Sequence, residues 1–111
     1  MNDFQQVYIA TTVPETHLNA VLEALAAAGA GIIGHYTHCS FTWSGMGRFK
    51  PDAQAQPALG EREQINSEPE IRIESFCARD RVKAVTAAIR AAHRYEEPVI
   101  YLLPLFSEAD F

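Results

Sequence analysis

Six side chains in this sequence have the chemistry to hold a divalent metal ion. His35, His38 and Cys39 follow one another in "GHYTHCS", and His93, Glu96 and Glu97 in "HRYEEP". Imidazole, thiolate and carboxylate together suit a borderline divalent ion. Spacing narrows the set. "HYTHCSFTWSG" reads as a strand, in which neighbouring side chains point to opposite faces, so His38 and Cys39 are poorly placed to share one ion. Cys39 shares its face with Phe41 and Trp43 and reads as a small core residue. Glu96 reads as a solvated carboxylate or a partner of Arg94. His38, His93 and Glu97 are the metal candidates carried forward.

A second chemistry is suggested just upstream, where Gly29, Gly31 and Gly34 stand at G-x-G-x-x-G spacing. Such glycines cradle a pyrophosphate when a strand precedes them and a helix follows, because the helix N-terminus supplies the amides and the dipole. Here the order is reversed. "PETHLNAVLEALAAA" repeats Leu18, Val21, Leu22 and Leu25 on one helical face, and the aromatic strand comes after the glycines. Gly29 is therefore the left-handed residue that ends a helix, not part of a nucleotide loop.

The elements that must position these residues follow from periodicity. "QQVYIATTV" is a strand with Val7, Ile9 and Val13 on one face and Tyr8 and Ala10 on the other, and Pro14 suits the first position of the helix that follows. Gly45 and Gly47 predict a hairpin turn or bulge leading into a short returning segment, Arg48 to Lys50. Pro51 to Gly60, with two prolines and a glycine, is a surface excursion within the domain, and "EREQIN" is a marginal strand. "EIRIESFCA" is a firm strand, with Ile71, Ile73 and Cys77 facing opposite to Arg72, Glu74 and Phe76. A second helix runs from about Arg79 to Ala92 on a stripe of Val82, Val85 and Ile89. His93 closes it as a partly cationic residue at the negative end of the dipole. "PVIYLLPL" is the last strand. The order predicts an α+β fold, a ferredoxin-like split βαβ with an additional hairpin and both helices on one face of an antiparallel sheet. The other face would leave Tyr8, Phe76 and alternate residues of Val99 to Leu103 in water, which predicts a closed symmetric homo-oligomer.

Composition bounds the function. The 111 residues make one domain, 1–111, and 48% apolar with 21% charged residues are ordinary globular values. Nine Lys and Arg against fourteen Asp and Glu give a net charge of −5, and the scattered cations disfavour nucleic acid. Arg79, Arg81 and Lys83, the one basic cluster, read as solvated surface. No apolar run is long enough to span a membrane and "MNDFQQ" does not read as a signal peptide, so the expected location is cytoplasmic, with Cys39 and Cys77 reduced. No C-x-x-C, nucleophile elbow or Ser-His-Asp ordering is present.

Several phrases, "AGAGIIGHYTHCSF", "GMGRFKP", "PALGE", "EIRIE" and "AHRYEEPVIYLLPL", resemble the insertion domain of the NGG1-interacting-factor-3-like (YqfO-type) proteins, over about Val7 to Leu105. The sequence departs from that family at His35, at Arg94 and in the closing strand. The resemblance implies a free-standing PII/CutA-like domain, a trimer, and a ligand-responsive excursion at Pro51 to Gly60 with Arg48 and Lys50 as its only phosphate-binding chemistry. The larger relatives' two-metal ligands lie in flanking domains that this sequence does not contain, so their hydrolytic chemistry does not carry over. The split βαβ order puts His38 and the His93–Glu97 pair at opposite ends of one subunit, so a metal shared among them requires neighbouring copies, as PII-like trimers provide. The resulting expectation is a homo-oligomeric binding or regulatory module that takes a small ligand or divalent metal ion at subunit clefts, or acts on a protein partner. The alternatives are a metal-dependent enzyme and a scaffold without ligand.

Overall fold

The structure, a computed structural model, describes residues 3–111. Four strands form one antiparallel sheet in the order β2-β3-β1-β4: β1 is Gln6–Val13, β2 Phe41–Phe49, β3 Asn66–Ala78 and β4 Ile100–Leu105. Helix α1, Leu18–Ala27, connects β1 to β2, and α2, Val82–Ala92, connects β3 to β4. Each helix is entered through one 3-10 turn, Glu15–His17 and Arg79–Arg81. This is the ferredoxin-like α+β arrangement expected from the order of elements.

The two periodicities meet in one apolar layer. Val7, Ile9, Thr11 and Val13 alternate onto the helix side of β1, opposite Cys77, Ser75, Ile73 and Ile71 of β3. Val21 and Leu25 of α1 and Val85 and Ile89 of α2 close over them, and Ile9, Val13, Val21, Ile73, Val85 and Ile89 are almost wholly buried. The five fully buried valines and isoleucines on the helices and β1 alone are each worth roughly 1.5–3 kcal/mol of burial. Burial of Cys77 in this layer raises its thiol pKa, against a smaller opposing effect of Arg81.

Helix α1 ends as the glycine reading required. Gly29 takes a left-handed φ of +98°, and Ala30 N–H donates to Leu25 O at 2.9 Å. Gly31 then hydrogen-bonds Phe76 O through its N–H and accepts from Cys39 N–H, which stitches the loop to β3 and to the approach of β2. The basic cluster is more than solvated surface. Arg81 donates two hydrogen bonds, at 3.1 and 2.8 Å, to Ala28 O at the end of α1, and Arg79 lies over the Phe4 ring at 4.0 Å.

Three local expectations are corrected. The strand in "HYTHCSFTWSG" starts only at Phe41, because His38 sits at φ 61° and breaks the extended backbone before Cys39. Gly45 and Gly47 do not turn the chain. β2 runs straight through them to Phe49, paired residue for residue with β3 from Phe41 opposite Glu74 to Phe49 opposite Asn66, so the described residues form no additional hairpin. "EREQIN" is mostly loop, and β3 begins at its last residue. The outcome is one long β2–β3 ribbon whose ends are joined by residues 50–65.

The face of the sheet away from the helices carries Tyr8, Phe76, Tyr101 and Leu103, as the alternation predicted. It also carries Phe41 and Trp43, which the sequence reading had assigned to the core side. Phe41, Trp43, Tyr101 and Leu103 are all more than half exposed, and the Phe41 and Trp43 rings meet edge to face at 6.4 Å. Across this face Tyr8 donates to the Glu74 carboxylate and accepts from Arg72 Nη2 at 3.3 Å. That hydrogen bond, followed by opposing desolvation and then nearby charges, leaves Arg72 with a raised pKa.

Candidate functional site

A well-formed recess of about 400 Å³ lies where the far end of the β2–β3 ribbon meets the segment between α2 and β4. Its walls are Phe49 and Leu59 on one side and Tyr95 and Val99 on the other, with Glu70 in its floor. Local chemistry explains why each wall stands where it does. Asp52 accepts from the backbone N–H of Gln54 and Ala55 at 2.8 and 3.0 Å, an Asx turn that curls the loop after Pro51. Asn66 clasps the other end: it accepts from Glu61 N–H at 3.0 Å and donates to Glu61 O and Gln64 O. Between them, Gln56 N–H donates to Glu96 Oε1 at 3.0 Å, which ties the loop to the opposite wall.

That opposite wall hangs on His93. Its Nε2 contacts Thr12 O at 2.5 Å and its Nδ1 accepts from Tyr95 N–H at 3.1 Å. An Nδ1 that accepts from a backbone amide carries no proton, so Nε2–H is the donor and the ring is the neutral tautomer. His93 is thus a buried strut between α2 and β1, not the partly cationic helix end that its position suggested. Thr11 Oγ1 donates to Val99 O at 2.6 Å and fixes the far end of the same segment. Tyr95 stacks near His93 at 4.9 Å and leans over Phe49 with ring centroids 6.5 Å apart.

Two polar groups in the recess stand out. Glu70 is only 9% exposed, and no described residue gives its carboxylate a hydrogen bond or an ion pair. The Tyr95 hydroxyl is also buried without a partner. Burial, then the charges of Glu70 and Glu68, push the Tyr95 pKa up to about 12 despite the opposing effect of Arg94. Gly47 makes room for the Glu70 side chain: a Cβ there would fall 1.7 Å from its Oε1 and 2.6 Å from its Cδ. Arg48 and Lys50 lie at the rim and are exposed, and Glu97 lines the opposite rim. A second, more open groove of about 470 Å³ continues from Glu70 across the bare face past Trp43, Arg72 and Tyr101.

The three metal candidates lie in three different environments. His38 is on the far side of α1, its Nε2 3.6 Å from Glu23 Oε2 and its Nδ1 2.9 Å from Thr37 Oγ1. His93 has both ring nitrogens engaged, and Glu97 is on the rim of the recess. Among the described residues no three His, Cys, Asp or Glu side chains gather as a metal-binding group within one chain. Cys39 lies half-buried beside α1, where its carbonyl accepts from Ser75 Oγ at 2.8 Å. Glu96 is not a free carboxylate, since it holds the loop.

Sequence reasoning missed Glu70, Tyr95 and Phe49. Glu70 looks like any charged position in "SEPEIRIE". The available signal was the pair of glycines in a segment otherwise fit for a strand, which read more naturally as a turn than as space for a side chain from the neighbouring strand.

No protein-family model matches the chain. It is 45% identical over 93 residues to the protein called GTP cyclohydrolase 1 type 2 homolog of Listeria monocytogenes, covering 83% of this chain and 25% of that protein. The chain therefore spans about a quarter of the length of the curated relatives it matches. Among solved structures, a Bacillus cereus protein related to NIF3 superposes with a TM-score of 0.81 at 34% identity, over 96% of this chain and 27% of that one. CutA1 of Shewanella sp. SIB1 superposes with a TM-score of 0.71 at 18% identity, covering 96% and 86% of the two chains. The GlnK of B. subtilis, solved as an ATP complex, does so with a TM-score of 0.63 at 11% identity, covering 95% and 85%. The last two likenesses are likenesses of fold.

Proposed function

Since this chain belongs, over the segment it spans, to the NGG1-interacting-factor-3-like family and has the PII/CutA-like fold, we propose that it is a binding or regulatory module. In this reading a small ligand is held in the recess between Phe49, residues 50–65 and Tyr95–Val99. The module works as a homo-oligomer, with a trimer as the favoured assembly, and copies of the chain cover the bare face of the sheet. The observation that carries the reading is the recess itself: a cleft of about 400 Å³ with apolar walls, a buried Tyr95 hydroxyl left without a partner and the mostly buried Glu70 side chain, which no described residue hydrogen-bonds. That combination is the ordinary character of a small-molecule site.

The bare face supports the assembly. Phe41 and Trp43 on β2 and Tyr101 and Leu103 on β4 are four large side chains more than half exposed on the same face of the sheet, the kind of apolar surface that marks an interaction site. Its occupant is a second copy, because the groove crossing that face runs into the ligand recess at Glu70, so one covering surface would complete both. A divalent metal held by His38, His93 and Glu97 belongs to the same picture only across copies, and only where His93 gives up one of its two contacts inside the chain.

Among the described residues no helix is long and apolar enough to cross a membrane, and a cytoplasmic location is part of the proposal. Trp43, the single tryptophan, gives a direct test. Its emission shifts to the red as the protein is diluted if copies cover the bare face, and stays constant if that face is always wet.

A further inference from the structure

Glu70, nine-tenths buried and given no hydrogen bond or ion pair by any described residue, bears on what kind of ligand the recess takes. A carboxylate removed from water costs several kcal/mol unless it is paired and hydrogen-bonded. Here the obvious internal partners are absent or engaged elsewhere. Arg48 and Lys50 are exposed at the rim, and Arg72 gives Nη2 to Tyr8 while its buried Nε makes no hydrogen bond, to Glu70 or to any other described residue. The only ion pair within 4.0 Å among the described residues is His38 with Glu23, on the other side of the fold. Asp52 and Glu96 spend their oxygens on backbone amides of the loop, and Glu97 adds a further carboxylate at the rim. The lining is therefore acidic in its floor and held rigid around that floor.

Two aromatic rings, Phe49 and Tyr95, line the same recess as Glu70, with centroids 6.5 Å apart and planes at 44°. An anionic group among aromatic walls is the chemistry that recognises an organic cation, because ring faces and carboxylate both attract positive charge. The position of the carboxylate is built in. Gly47, diagonally across on β2 and paired with Glu68, leaves the space that the Glu70 side chain fills, and any side chain there would displace it. The Tyr95 hydroxyl, buried beside the same recess, offers one further hydrogen bond to a ligand.

Resting on the reading of this recess as a ligand site, we propose that its ligand is an organic cation, a primary ammonium or guanidinium compound with an apolar body. The charged head lies on Glu70 and the body lies between Phe49, Tyr95 and Val99. Nothing is transferred; the step is binding alone.

The test uses the whole chain and three probes of similar shape: phenethylammonium, the neutral phenethyl alcohol and the anionic 3-phenylpropionate. Backbone amide chemical shifts report where each binds. The expected result is saturable binding of phenethylammonium with shifts at Phe49, Glu70 and Tyr95, and binding of the neutral and anionic probes weaker by about tenfold or more. Glu70→Gln should abolish that preference. Gly47→Ala should weaken it while keeping the charge. Both variants should retain the oligomeric state of the unaltered protein. If the neutral or anionic probe shifts the same residues as strongly as the cation, the recess stands as a ligand site and the charge assignment is overturned. If none of the three perturbs the recess, both readings fall. If Glu70→Gln dissociates the oligomer, the carboxylate belongs to the contact between copies and the proposal is overturned.

Discussion

Glu96 reaches across the recess and accepts a hydrogen bond from the backbone N–H of Gln56 at 3.0 Å, forty residues away in sequence. This one contact ties the excursion at Pro51 to Gly60 to the segment that follows α2. Glu96→Ala removes the acceptor from an exposed amide, so the expected cost to global stability is small, at most about 1 kcal/mol. The local effect is larger: hydrogen exchange at Gln56 should accelerate severalfold while exchange in β1 and β3 is unchanged. Unchanged exchange at Gln56 would show that the Asx turn at Asp52 holds the loop without Glu96.

Arg81 joins the start of α2 to the end of α1. Its guanidinium gives Ala28 O two hydrogen bonds at the C-terminus of a helix, where positive charge is also favoured by the dipole. Arg81→Ala should lower the free energy of unfolding by about 1 kcal/mol, read from urea titration. Arg79→Ala, which loses only the stacking on Phe4, should cost about half as much. Equal effects of the two would mean that the carbonyl cap contributes nothing beyond surface charge.

His93 is bonded through both nitrogens inside the chain, so its removal is a structural lesion. His93→Ala should destabilise the fold by about 2 kcal/mol, because Thr12 O and Tyr95 N–H both lose their partner. The metal content of purified protein should be the same for the unaltered chain and for His93→Ala. A stoichiometric metal lost selectively in His93→Ala, and equally in His38→Ala, would instead support a shared centre between copies.

Tyr95 carries the pH dependence. Its folded-state pKa is pushed up to about 12, above the usual tyrosine value of 10.0, chiefly by burial and next by Glu70. A raised folded pKa means that the folded chain holds this proton after the unfolded chain has released it. The stabilisation is fully present below pH 10 and is lost as the pH rises through 12. The ultraviolet difference titration between the unaltered chain and Tyr95→Phe should therefore show one tyrosinate forming near pH 12. A difference midpoint at 10 would place the hydroxyl in water.

Both helices, their buried stripes, the first and third strands and the left-handed Gly29 were legible because each rests on local periodicity or a local backbone requirement, and the ferredoxin-like class followed from the order of these elements. Gly45 and Gly47 were misread for a physical reason. Glycine in a strand can mark a turn or a close approach from a neighbouring strand, and the approach of Glu70 is a contact between residues 23 apart. Phe41 and Trp43 were assigned to the wrong side because alternation gives two faces without saying which is covered by helices. The recess was hidden for the same reason: it joins residues 48–59, Glu70 and residues 95–99, none of which carries a recognisable motif alone. His38, His93 and Glu97 were chosen by chemical type, and the fold distributes them over separate parts of one subunit.

Sedimentation equilibrium of the unaltered chain beside Trp43→Glu is the measurement that bears most directly on whether copies of the chain cover the bare face. At micromolar concentration the unaltered chain should sediment at a multiple of its 12.3 kDa, with three copies favoured. Trp43→Glu should sediment as one folded chain. A fully folded unaltered chain that stays at 12.3 kDa across that range would contradict the account.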